Sequence, residues 1–299
     1  MKKLMKLGMV TLVAVSLLML SACGASSNED VTIKIGHKNY TEQRIIGQIF
    51  AAVIEDKTDY KTDVKEFGGT QIVFEAIKND EIDLYGDYTG TLYASMLQME
   101  GETDPDTVYD IVKEKIESDF PLNLLKPLGF NNTYTLSVRP EIAEKYNLKK
   151  MSDLKEFGPE LILGATMEFL ERKDGMVGVK EVYEIVFKEE IGLDPGIRYT
   201  AVENGDVDLI DAFSTDGKIK EYNLTILEDD KQFFPPYYCM SILSDSAFEN
   251  YPEVVAALRL LEGAITDSEM QQMNFTVDEE GMPERKVAED FLREKGIID

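Results

Sequence analysis

A stretch near residue 80 recurs near residue 205, and any fold for this chain has to account for the recurrence. Ala76-Ile77-Lys78-Asn79-Asp80-Glu81-Ile82-Asp83-Leu84 matches Ala201-Val202-Glu203-Asn204-Gly205-Asp206-Val207-Asp208-Leu209 at an offset of 125 residues, and the match runs on to set Tyr88-Thr89 against Phe213-Ser214. Each copy reads as a helix end, a turn, a short strand, and then an aromatic followed by a hydroxyl. A weaker echo sets Ile35-Gly36 against Leu163-Gly164. Chance is the competing explanation, because short acidic turns before strands are common. Taken as real, the repetition predicts two similar α/β lobes, each sending an aromatic side chain out of the carboxyl end of a strand. In open α/β sheets that edge is where ligands bind. Two such edges facing each other make a cleft between domains, a favoured place for a small molecule.

The local pattern agrees. Val31, Ile33 and Ile35 alternate with polar residues as a strand that stops at Gly36. Asn39 with Glu42 three residues on reads as a capping signal for a helix whose apolar face is Ile45, Ile46, Ile49, Phe50, Val53 and Ile54. Ile72, Val73, Ala76 and Ile77 suit a second helix, and Ile82 to Tyr85 a second strand, which is βαβ grammar. A length of 299 residues fits two domains. The chain is expected to cross between lobes near Asn132-Thr133 and again near Pro235-Pro236, where paired prolines fix an extended segment. Val255, Leu258, Leu261 and Ala264 lie at helical spacing in a tail expected to pack back on the first lobe.

The first residues read as an address. Lys2, Lys3 and Lys6 precede an apolar run from Leu7 to Leu20, the order of a secretory signal peptide, and the run is too short for a transmembrane helix. Leu20-Ser21-Ala22-Cys23 resembles the lipobox of bacterial lipoproteins, which implies cleavage before Cys23 and lipidation of that cysteine. The expected organisation is therefore a signal peptide at 1–22, a lipid-anchored linker at 23–30, a first lobe at 31–133, a second lobe at 134–238 and a return segment of the first lobe at 239–299. The expected location is extracytoplasmic, tethered to the cell membrane. Cys239 is then left without a partner and is expected in the core.

Composition removes several classes of function. A formal net charge of −26 repels phosphate backbones, so nucleic acid is not an expected partner. Two cysteines and one histidine are too few for a Cys/His zinc cluster, a haem motif or a disulfide framework, and neither metal nor cofactor is expected. Tyr and Phe number 14 each and tryptophan is absent, so any aromatic box must be built from Tyr and Phe. Such a box attracts a cation through the ring quadrupoles and suits a methylated ammonium, which donates no hydrogen bond. Candidates are Tyr88, Tyr134, Phe213 and Tyr237, each following a polar or turn-like stretch. On residue grounds alone the same rings also suit a core, Arg172 suits a surface ion pair within Glu171-Arg172-Lys173-Asp174, and Lys38 suits a solvated loop.

The whole span beyond the linker resembles the substrate-binding proteins of ABC importers for quaternary ammonium osmoprotectants such as glycine betaine, carnitine and choline. The resemblance is carried by Gly36-His37-Lys38-Asn39-Tyr40-Thr41-Glu42-Gln43, Asp83-Leu84-Tyr85-Gly86-Asp87-Tyr88-Thr89-Gly90-Thr91, Asn131-Asn132-Thr133-Tyr134, Glu168-Phe169-Leu170-Glu171-Arg172-Lys173-Asp174-Gly175, Phe213-Ser214-Thr215-Asp216-Gly217 and Gln232-Phe233-Phe234-Pro235-Pro236-Tyr237. It implies a two-lobed, type II periplasmic-binding-protein-like α/β fold with the ligand cleft between the lobes. It implies that Tyr88, Tyr134 and Tyr237 are cage tyrosines and that Phe213 stands where many relatives have another tyrosine. It implies that Lys38, Thr91 and Arg172 hold a carboxylate and that Asn132 is a polar group beside the cage. The physical reading runs the same way: a betaine carries a cation and a carboxylate, and two desolvated protein cations argue for such a zwitterion over choline. A separate permease and ATPase are the implied partners, since no Walker A pattern is present.

Within the class, ergothioneine and choline are the rival ligands, ergothioneine because related importers with a similar Glu-Phe-x-x-Arg-x-Asp-Gly run serve bulkier betaines. Outside it, a ligand-sensing surface lipoprotein without transport uses the same site. Catalysis is not expected: no Gly-x-Ser-x-Gly elbow occurs, and His37 lies alone in the first strand-to-helix loop. A carboxylate-only glycosidase draws no support from 57 acids, since so many always provide some pair.

Overall fold

The computed structural model describes residues 31–299. The expected signal peptide, the Cys23 lipidation site and the linker lie outside the described residues. The strands are β1 Thr32–His37, β2 Lys61–Glu66, β3 Leu84–Tyr88, β4 Leu122–Asn131, β5 Tyr134–Val138, β6 Ile162–Thr166, β7 Glu189–Leu193, β8 Leu209–Phe213, β9 Thr225–Ile226 and β10 Tyr238–Ser244. They form two five-stranded sheets, ordered β2-β1-β3-β10-β4 and β7-β6-β8-β5-β9. In each sheet the first three strands run parallel and the next runs antiparallel to its neighbour.

The internal echo is a structural repeat. Offset by 125, β3 falls on β8 end for end. The weaker echo is a register: Ile35 and Gly36 pair with Leu84 and Tyr85, while Leu163 and Gly164 pair with Leu209 and Ile210. An aspartate fixes both registers. Asp83 accepts from the Lys34 amide through Oδ2 at 2.7 Å and donates its own amide to the Lys34 carbonyl at 2.8 Å. Asp208 does the same to Ile162, at 2.9 and 2.8 Å. These clamps also explain why the strand expected at Ile82 begins at Leu84: Asp83 is spent on the clamp, and Ile82 packs so close to Gly36 that a Cβ there would lie 2.5 Å from its Cδ1.

Helix α1, Thr41–Lys57, carries the predicted apolar residues fully buried, and Ala51 and Ala52 on its other side are buried as well. It is covered twice, by the first sheet and by the chain's last helices. The expected cap fails: the N-cap is Tyr40, extended and without a side-chain capping bond, Asn39 is exposed, and Glu42 is drawn inward to a cluster of buried donors. Helix α2, Thr70–Lys78, matches expectation. In the second half, α3 Met167–Glu171 follows β6 and α4 Ile197–Asn204 precedes β8.

The chain passes from the first sheet to the second between β4 and β5, through Asn132 and Thr133, and returns between β9 and β10. The two passages bind each other. The Asn132 amide donates to the Tyr237 carbonyl at 2.9 Å, and the Tyr237 amide donates to Asn131 Oδ1 at 2.7 Å. After a short helix at Asp245–Asn250, three closing helices follow: α5 Pro252–Leu258, α6 Asp267–Asp278 and α7 Glu284–Glu294. All three pack on α1, as the tail pattern implied. Helix α6 does more than expected, because Asn274 donates to the Thr215 carbonyl of the other half at 3.0 Å, and Gly217 abuts the Phe275 backbone where a Cβ would lie 2.7 Å away. Cys239 is fully buried.

The clamps are testable as a matched pair. Asp83→Ala and Asp208→Ala should each lower the unfolding free energy by about 0.5–1.5 kcal/mol in urea titration, the usual net worth of an intramolecular hydrogen bond at a partly exposed amide. Asp208→Ala should cost more, because Arg139 Nη2 also loses its partner at 2.9 Å.

Candidate ligand-binding site

The repeat places two strand ends opposite each other. Tyr88 closes β3 and Phe213 closes β8; Tyr134 opens β5 in register with Phe213, and Tyr237 stands just before β10. Lys38 follows β1, Thr91 sits in the short turn of helix after β3, Asn132 lies in the first passage, and Arg172 follows α3. All eight residues line one nearly filled pocket, about 20 Å³ in volume, together with Tyr40, Thr70 and Glu168.

The aromatic rings form its walls. Tyr134 lies 4.9 Å from Phe213 and 5.5 Å from Tyr237, centroid to centroid, and meets Tyr237 at 89°. Tyr40 stacks on Phe213 at 5.5 Å, adding a ring that the sequence reading did not assign to the cage. Burial pushes the phenols of Tyr40, Tyr88, Tyr134 and Tyr237 upward, so they stay neutral. Phe213 is held from behind: Asp216 accepts its amide at 2.9 Å, and the guanidinium of buried Arg198 lies 5.2 Å from its ring.

The expected cations are present but are not free. Lys38 is buried, not solvated, and its Nζ lies 2.7 Å from Asp87 Oδ1. Arg172 meets Asp174 through Nε at 2.8 Å and through Nη2, and meets Glu168 Oε1 through Nη1 at 2.9 Å. Arg172 thus uses Asp174 from its own charged run, though inside the cleft and not on the surface. Burial works against the Arg172 charge, but the Asp174 carboxylate bonded to it outweighs that cost and holds its pKa well above the ordinary value. Glu168 is likewise opposed by burial, yet Lys38, Arg172 and the Thr70 hydroxyl keep its carboxyl below the usual range. The expectation that two unpaired cations demand an anionic ligand therefore does not carry over, because protein carboxylates already offset their desolvation.

Beneath the pocket lies Glu42, whose exposure is 2%. Its Oε1 accepts from Tyr88 Oη and Asn132 Nδ2, both at 2.6 Å, and its Oε2 accepts from Thr215 Oγ1 at 2.5 Å and Asn274 Nδ2 at 3.1 Å. Two of these donors are pocket-forming side chains, one belongs to the second half, and one to α6. With its Nδ2 committed to Glu42, Asn132 is left with a buried Oδ1 that has no hydrogen-bond partner. The sequence held a signal for Tyr40, Glu42 and Glu168, since all three fall within the runs that carried the resemblance. It held none for Thr70, which enters through tertiary contact with Glu168 at 2.6 Å.

Among the described residues no cluster of side chains is suited to a metal ion, and no helix is long and apolar enough to cross a membrane. Desolvation lifts the Glu42 carboxyl from its ordinary 4.5 to about 7, against the pull of its hydrogen bonds from Thr215, Tyr88 and Asn274. The folded chain therefore holds more protons than the unfolded one between those values. The associated stability is full below about pH 4.5 and is lost as pH rises through about 7. The unfolding free energy of the parent minus that of Glu42→Gln should fall by about 1–3 kcal/mol between pH 5 and pH 8. The difference isolates Glu42 from His37, whose imidazole is shifted down by burial and contributes with the opposite sign. A difference that is flat with pH would contradict the assignment.

With this geometry in hand, comparison with known proteins is direct. Residues 31–294 match the OpuAC family, described as the substrate-binding domain of the ABC-type glycine betaine transport system. The chain is 34% identical to a carnitine transport binding protein of Listeria monocytogenes, over 96% of each chain. It is 32% identical to an ergothioneine transport permease/ergothioneine binding protein of Helicobacter pylori, over 90% of this chain and 48% of that one. A solved structure described as a glycine betaine/carnitine/choline ABC transporter superposes with a TM-score of 0.72 at 30% identity, covering 89% of this chain and 100% of the other. The architecture is that of the two-lobed, type II periplasmic binding proteins. From the extent of these matches, the chain belongs to the OpuAC family of substrate-binding proteins of ABC transporters.

Proposed function

We propose that this chain captures a trimethylammonium zwitterion, glycine betaine or carnitine, in the pocket between its two sheets and delivers it to a membrane permease driven by a separate ATPase. The observation that carries the reading is the aromatic corner: Tyr134 and Tyr237 meet at 89°, with Phe213 and Tyr88 on the same pocket. Ring faces at right angles give a tetrahedral cation π-density on more than one side. The partnerless Asn132 Oδ1 adds an acceptor for polarised N-methyl groups.

The carboxylate end is assigned to Lys38, Thr91 and Arg172. Lys38 has three N–H donors and one protein partner, and Arg172 has five donors of which three are engaged, so each keeps two for a ligand. In this reading residues 31–133 and 239–299 form one lobe and 134–238 the other, and the ligand favours the shut arrangement by contacting both. Cys23 carries the lipid that tethers the protein outside the cytoplasm, and the site binds without performing chemistry. Ergothioneine is the second reading, favoured by the relation to the Helicobacter pylori protein and by the shared methylated ammonium and carboxylate.

The test is calorimetric titration of the purified protein with glycine betaine, carnitine, choline and ergothioneine. Saturable uptake of at least one betaine is expected; silence across the panel from a folded protein overturns the reading. Tyr134→Ala should weaken binding about tenfold or more, since one ring contact is worth roughly 0.5–2 kcal/mol. Gly90→Ala should weaken it without replacing a lining residue, because the new Cβ would lie 2.7 Å from the Tyr237 ring and displace that ring from its place in the pocket wall.

A further inference from the structure

The pocket holds one carboxylate too many. Asp87 balances Lys38, and Asp174 takes the Nε and Nη2 edge of Arg172. Glu168 is the surplus. It stands on α3 in the second half, and its Oε1 does two things at once: it accepts from Arg172 Nη1 at 2.9 Å and from Thr70 Oγ1, across the cleft on α2, at 2.6 Å. Among the described residues nothing bonds to Oε2, so the carboxylate is held by a single oxygen, and the side chain is half-buried at the pocket wall. The edge of Arg172 that Asp174 leaves open is the edge that Glu168 covers.

We propose that Glu168 is an internal stand-in for the carboxylate of the ligand. It rests on the open edge of Arg172 when the cleft is shut without solute, swings aside for a betaine, and stays in place beneath a plain quaternary cation. Two anions cannot share that edge without repulsion in a site of low dielectric. A cationic ligand without a carboxylate, by contrast, gains from the charge that Glu168 leaves uncompensated. Glu168 therefore sets how strongly the pocket discriminates between zwitterion and cation. This inference rests on the quaternary ammonium reading above and adds to it a residue whose role is selection.

The experiment is calorimetric titration of the purified parent, Glu168→Gln and Thr70→Val with glycine betaine and with choline, each variant checked by thermal melting. Glutamine keeps the shape and removes the charge, so the ratio of betaine to choline affinity should rise at least tenfold over the parent's. Thr70→Val leaves the charge but removes the hydroxyl that pins it over the arginine, so the ratio should rise by a smaller factor. A ratio within twofold of the parent's in the folded variants, or a shift toward choline, overturns the inference. Should Glu168→Gln not fold, the Thr70→Val ratio decides by the same criterion. A parent that takes up neither ligand nor any other quaternary amine removes the underlying reading, and this one with it; a parent that binds leaves the ratio as the sole arbiter.

Discussion

One carboxylate, buried beneath the pocket and met by four donors, is the constraint on which the arrangement of this protein turns. Glu42 reaches the end of β3 through Tyr88, the first passage through Asn132, the second half through Thr215 and the closing helices through Asn274. A buried carboxylate with fewer donors would be expensive, and donors left without it would be equally so. The four segments are thereby held to one geometry. Two of the bonded side chains, Tyr88 and Asn132, line the pocket, so the same atoms that join the halves also aim the walls of the site.

Above that anchor the pocket is built from opposed elements, not from a single binding surface. Its rings offer negative faces to a cation, while its two protein cations already lie 5.4 Å from the Tyr88 ring and 5.7 Å from the Tyr134 ring. Lys38 and Arg172 are in turn drawn off by Asp87, Asp174 and Glu168. The outcome is a pocket in which each of the two cations has an internal carboxylate partner.

How much of this was legible in the sequence follows from what each feature depends on. The repeat was readable because a strand end with its acidic turn is a local object: Asp83 and Asp208 make the same clamp, so the same residues recur at the same spacing. The eight proposed pocket residues were readable from short runs that lie at strand ends, in the passages, or in the short helical turns that follow β3 and β6. Glu42 was misread as a helix cap because its position in the first turn permits that role, and only tertiary packing supplies the four donors that claim it instead. The pairing of Lys38 with Asp87 and of Glu168 with Thr70 joins residues 49 and 98 positions apart, and no spacing rule reaches that far. Helix α6 was assigned to the first half alone because its polar residues gave no sign that Asn274 would reach the second.

The bonds between the two passages have a mechanical consequence. Because the Asn132 amide holds the Tyr237 carbonyl and Asn131 holds the Tyr237 amide, the two strands of the connection behave as one axle. Were the sheets to separate as the proposed function requires, Tyr88 and Phe213 would move apart while Tyr237 stayed beside Asn132. The pocket would then have a stationary wall as well as two that travel, and a solute resting against the stationary wall would already be aligned when the others arrived.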